Sequence, residues 1–218
     1  MENPEATASL KSNEVAIGPV AAAAAVGNMP KLSLALGNAL DAGSSINELK
    51  EVLVQLYAYV GFPRALNALG VFMKALEDRR VRGVKDEEGR LPGPIPAAQT
   101  MLRVGTSNQT KLSGAPVAGP LFEFAPAIDE YLKTHLFGDI FSRDNLDWRS
   151  RELATVAALS AMSGVEAQLL AHIRISMNVG LTSTELRQFA GGLRDGGEAE
   201  AAQRVLAAIE RHGEAGNR

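Results

Sequence analysis

The chain has 218 residues, 46% hydrophobic and 22% charged, enough to bury a real core as one large domain or two small ones. A formal net charge of −3, with no Lys/Arg stripe interleaved with aromatics, excludes a nucleic-acid binder that works through a basic field. The absence of cysteine excludes disulfides, thiolate metal sites and thiol redox chemistry; the three histidines (His135, His172, His212) make no HxH, HxxxH or HExxH, so no metal centre and no cofactor is expected.

Residues 1–12 are Ser/Ala/Asn-rich and expected to be loose. The most apolar early run, Val15–Val26, is interrupted by Pro19. It falls short of the roughly 20 residues a bilayer requires, so no membrane partner is expected. Glu2, Glu5 and Glu14 give the leader the wrong charge for a signal peptide. Cytoplasm is the expected compartment, although numbering that begins after a processed leader would leave export open.

Residues 13–80 carry a helical pattern. Ala-rich 20–26 leads to Gly27-Asn28-Met29-Pro30, and Pro30 suits the first turn of a helix over Lys31–Ala42. In the next helix, Ile46–Val60, Leu49, Val52, Leu53, Leu56 and Val60 recur at helical spacing. Gly61-Phe62-Pro63 breaks that helix, and Arg64–Arg80 restarts it with a basic last turn that suits the helix dipole.

Residues 81–121 mix many glycines and prolines and read as a long irregular connection, with a short helix at Ala97–Val104. Within it, Gly105-Thr106-Ser107-Asn108-Gln109-Thr110 lacks the lysine of a phosphate loop and reads as a polar turn. Asp86–Glu88 reads as a solvated loop. Residues 122–218 are helical again, over Pro126–His135, Trp148–Ser163, Val165–Val179, Ser183–Leu193 and Glu198–Arg211. No strand is expected. The fold class is all-α.

Two stretches at an offset of 137 residues repeat one punctuation. Ala39–Leu49 lies over Ser176–Leu186, and Gly27 lies over Gly164. Gly43 and Gly180 each stand where a helix ends, as glycine enters the left-handed region without a Cβ clash. Ser45 and Thr182 are each followed three residues later by glutamate, the capping-box arrangement. Two such marks at one offset indicate a tandem repeat.

The run Glu48–Ala68, with Tyr59-Val60-Gly61-Phe62-Pro63 inside it, resembles the C-terminal half of carboxymuconolactone decarboxylase family domains. Arg151–Leu159, Gln168–Arg174 and Gly180-Leu181-Thr182 resemble the N-terminal half. The resemblance implies an alkylhydroperoxidase-D-like bundle of two tandem diverged repeats, assembled as a homo-oligomer, a trimer or hexamer, and points to aromatic compound catabolism.

The repeats have decayed in complementary ways. The first keeps Tyr59, Gly61 and Pro63 but has Ala35 at the position of His172, whereas the second keeps Glu152 and His172 but reads Arg194–Glu198 in place of Tyr-x-Gly-x-Pro. One composite site per chain is therefore expected.

Peroxide-reducing members of the family carry a CxxC before the histidine, where this chain has Val165 and Gln168. The resemblance then implies a lyase acting on a small carboxylated or lactone metabolite. In it His172 transfers a proton, because imidazole titrates near working pH, and Glu152 orients the ring. Their 20-residue spacing places them on successive antiparallel helices.

Arg151 and Arg64 are candidate carboxylate clamps, with Tyr59, Gln168 and Asn108 as further candidate substrate contacts. Many decarboxylating members have glutamate where Gln168 stands. Arg174, two residues from His172, points elsewhere. His135 and His212 read as surface residues, and Tyr57 as a core or interface aromatic. A redox-inactive scaffold and a non-catalytic small-molecule binding protein are the alternative readings.

Overall fold

The computed structural model describes residues 9–94 and 100–216. The expectation of a loose start falls largely outside them. Residues 9–11 are nevertheless held, because Gln188 accepts from the Leu10 amide at 2.9 Å and donates to its carbonyl at 3.2 Å.

Among the described residues every regular element is a helix, with no strand. The helices are α1 (Ser12–Val26), α2 (Met29–Asp41), α3 (Ile46–Val81), α4 (Met101–Ser113), α5 (Pro120–Phe124) and α6 (Pro126–Tyr131), which runs into a π-helical segment over Leu132–Ile140. Then come α7 (Trp148–Ala161), α8 (Glu166–Asn178), α9 (Ser183–Asp195) and α10 (Ala199–Gly216).

The tandem offset is physical. α7 lies over α1, α8 over α2, α9 over the first half of α3 and α10 over its second half. Gly43 and Gly180 take the same φ of 94°. Both capping boxes close: the Ser45 amide donates to Glu48 at 2.7 Å, and the Thr182 amide to Glu185 at 2.8 Å. Between the halves of α3, Gly61 sits at φ 77° and ψ 161°. That left-handed φ is open to glycine at little cost, and Pro63 then pre-sets the helix that follows.

α1 and α7 form the centre. Nearly every residue over Ile17–Ala25 and Ser150–Ser160 is buried, so neither stretch has a solvent-facing side. Alanines at 21–25 let neighbours approach closely, and α2, α3, α8, α9 and α10 pack around this pair, while α4 and the π segment pack on each other and α4 reaches α8.

The linker departs from the sequence expectation. Met101–Ser113 is a full helix rather than part of an irregular connection, so the Gly105–Thr110 stretch is helical and not a turn. The part of the expected short helix at residues 97–99 lies outside the described residues. The π segment likewise replaces the end of the helix expected over Pro126–His135. Glu87 and Glu88 are exposed as expected, but Asp86 is half-buried against Arg79, whose Nε donates to it at 2.9 Å.

Glycine chemistry explains how α4 packs. A Cβ at Gly105 would stand 1.5 Å from the Lys133 carbonyl oxygen, and one at Gly138 would stand 2.9 Å from the Met101 carbonyl. The two backbones cross where neither has a side chain. Gly105→Ala is therefore expected to cost roughly 3 kcal/mol or more, because backbone must move to admit the methyl. Urea unfolding measures this.

Candidate active site

Glu152 on α7 and His172 on α8 meet, with Nδ1 of the ring 2.7 Å from Oε2 of the carboxylate. Glu152 is fully buried, while the His172 side chain keeps 12% of its surface. A carboxylate accepts only, so Nδ1 carries the proton between them and the ring's orientation and tautomer are fixed. Nε2 is then the nitrogen available for chemistry.

Tyr59, from the first repeat, closes the group edge-on, its ring centroid 6.0 Å from that of His172. The Tyr59 hydroxyl is buried without a hydrogen-bond partner among the described residues, as is Oε1 of Glu152. Burial, reinforced by the Glu152 charge, raises the phenol well above its ordinary range, so it keeps its proton. Ser176, one turn along α8 from His172, also has a buried hydroxyl with no partner. Buried polar atoms are normally satisfied. Of the orphans among the described residues, the Tyr59 hydroxyl and Glu152 Oε1 belong to side chains that flank His172.

Behind this group lies a second polar cluster, paired except at Arg151 Nε and Asn145 Oδ1. Arg151 has no exposed side-chain surface; it donates to Glu51 at 2.9 Å, to Gln55 at 3.0 Å and to the Arg143 carbonyl at 2.7 Å. Glu51 also accepts from Arg143 Nε at 2.8 Å and from Asn145 at 3.2 Å. Gln55 returns a bond to Thr155 at 2.8 Å, and Thr155 bonds the Arg151 carbonyl at 3.0 Å. Burial alone would raise the Glu51 carboxyl, but the two arginines outweigh it and hold it below its usual value.

The expected residues separate accordingly. His172, Glu152 and Tyr59 come together. Arg151 is corrected from a substrate clamp to the buried partner of Glu51, with its terminal nitrogens committed. Asn108 is corrected as well, since it bonds the Phe137 carbonyl at 2.8 Å and ties α4 to the π segment. Gln168 is exposed one turn before His172 on the same side of α8. Arg64 is exposed just after the Gly61 turn, its Nε near the Gly27 turn. Arg174 is exposed.

Glu51, Gln55 and Thr155 were missed by sequence reasoning. Their signal was two polar residues one turn apart within the apolar stripe of α3, a pattern that burial could tolerate only with partners.

His135 also bonds a carboxylate, Asp139, at 2.7 Å, but both side chains are about half exposed. Tyr57 packs between His135 and Phe62, stacked on the latter at 4.5 Å. Among the described residues no helix is long and apolar enough to cross a membrane.

No curated protein matches this chain at a meaningful level. The model of the carboxymuconolactone decarboxylase family matches it twice, over residues 8–74 and 126–211. The two matches follow the tandem halves and together span well over half of the sequence. The chain belongs to the carboxymuconolactone decarboxylase family, as a duplicated, cysteine-free, all-α member.

Proposed function

We propose that the protein is a carboxy-lyase acting on a small carboxylated lactone of aromatic compound catabolism. The supporting observation is the buried Glu152–His172 pair with an orphaned phenol beside it. Loss of CO₂ breaks a carbon–carboxylate bond and leaves its electron pair delocalised into the lactone carbonyl. His172, protonated at Nε2, delivers the proton to carbon, and Glu152 holds the ring in register. The Tyr59 hydroxyl donates to the oxygen on which charge develops. Arg64 and Gln168, both exposed, are the groups available to the remaining carboxylate.

The working unit is a homo-oligomer, a trimer or hexamer. Its support is the exposed apolar surface of Phe62, Leu66 and Met73 on α3, and of Leu121, Phe124 and Tyr131 on α5 and α6.

His172→Gln is expected to lower turnover of a carboxylated muconolactone by about 10²–10⁴-fold, with thermal unfolding nearly unchanged. Unchanged turnover would refute the assignment, and loss of folding would make the ring structural. Saturable stabilisation of the wild type by the lactone without product would indicate a binding protein instead.

A further inference from the structure

The tandem offset predicts a second location equivalent to the Glu152–His172–Tyr59 group, on the far side of the central helix pair. Its three positions are Val15, Ala35 and Gly196. Val15 fills the place of the acid: a Cβ at Gly192 would stand 2.2 Å from its Cγ1, so that part is packed solid. Alanine in place of imidazole leaves room, whereas Pro19 takes the space beside Gly196, where a Cβ would stand 2.4 Å from the Pro19 Cγ. A solvent-open hollow of about 210 Å³ lies there, lined by Pro19, Lys31, Leu34, Ala35, Asp195 and Gly196.

We propose that this cavity is a binding site for a neutral one-ring phenol. The volume suits the ligand, since an apolar protein cavity of roughly 150 Å³ accepts benzene. The walls of Pro19, Leu34 and Ala35 are apolar. At the rim, the Lys31 ammonium donates to the Gly197 carbonyl at 2.9 Å and to Glu198 at 3.1 Å, which leaves its third N–H free. Asp195, 79% exposed, offers an acceptor on the same rim, with Arg194 at 3.8 Å. A hydroxyl both accepts and donates, so it satisfies Lys31 and Asp195 together. A carboxylate ligand would meet Asp195 and Glu198 as like charges. The site is independent of the catalytic reading, because none of its residues belongs to the Glu152–His172 group.

Titration with phenol, followed by protein-observed NMR and calorimetry, tests this. Saturable binding is expected, with benzoate at least tenfold weaker. Lys31→Met and Asp195→Asn should each weaken phenol about five- to tenfold, the loss of one hydrogen bond. Ala35→Phe should abolish binding by filling the hollow, whereas His172→Gln should leave it intact. Should Ala35→Phe fail to fold, Leu34→Trp on the rim, where Leu34 is 72% exposed, serves as the blocking variant. Absence of saturable phenol binding would overturn the proposal. So would affinity that survives the blocking variant, or that disappears with His172→Gln.

Discussion

Glu51→Met is expected to destabilise the protein by about 3–5 kcal/mol, because it strands the Arg151 guanidinium in the core. For a chain of this size that lowers the melting temperature by roughly 6–20 °C. Arg151 has no exposed side-chain surface, so it cannot turn to water for compensation. Arg143 can, since 36% of its side chain is exposed, and its loss from the pair contributes less.

The double variant Glu51→Met/Arg151→Met removes both buried charges. It should recover much of the stability, since apolar replacement of a whole buried pair is often neutral or favourable. Recovery would show that the cluster specifies how α3 meets α7 rather than supplying net stability. Equal damage in the single and double variants would refute that reading.

The same carboxylate sets a pH signature. Its folded value lies below the ordinary 4.5, so its contribution is complete above that pH and is lost as pH falls through the lowered value. The stability gap between wild type and Glu51→Gln should therefore be widest at neutral pH and narrow on acidification below 4.5. Denaturant unfolding at several pH values measures this.

Much of the fold was legible because its signals are local. Gly43 and Gly180, with Ser45–Glu48 and Thr182–Glu185 after them, announce helix ends and starts whatever the surroundings. The dyad was legible for a similar reason: two helices joined by a tight turn bring residues 20 apart face to face. The linker was not. Gly105 and Gly138 are helical because two backbones cross there, a reason that lies in a partner 33 residues away and leaves no trace in local composition.

Arg151 was misread on the same ground. An arginine beside a candidate catalytic glutamate looks available until Glu51, 100 residues earlier, is seen to hold it. Asp86 gave the opposite error, a surface-looking acid that Arg79 draws inward. Periodicity shows which face of a helix is apolar, but it does not pair the exceptions on that face.

Tyr59→Phe and Glu152→Gln together test whether the orphaned atoms serve chemistry. Removing a buried hydroxyl that has no protein partner takes away a desolvation penalty, so Tyr59→Phe should leave stability unchanged or raise it by about 1 kcal/mol. If the phenol donates to the developing oxyanion, the same change should cut turnover about 10²-fold. A gain in stability accompanied by a loss of rate is the signature of a group held for function at the expense of the fold.

Glu152→Gln acts differently. The amide can present an N–H to Nδ1, which makes that nitrogen the acceptor and moves the ring proton to Nε2. The amide no longer stabilises the imidazolium from which Nε2 donates, so turnover should fall, by up to about 10⁴-fold as when a triad carboxylate is replaced by its amide. Nitrogen NMR of His172 reads the tautomer directly, apart from any activity. Were Nδ1 to keep its proton in Glu152→Gln while turnover collapsed, the carboxylate would be acting on substrate rather than orienting the imidazole. Were the tautomer to invert without loss of rate, the Glu152 carboxylate would not be what makes Nε2 a proton donor.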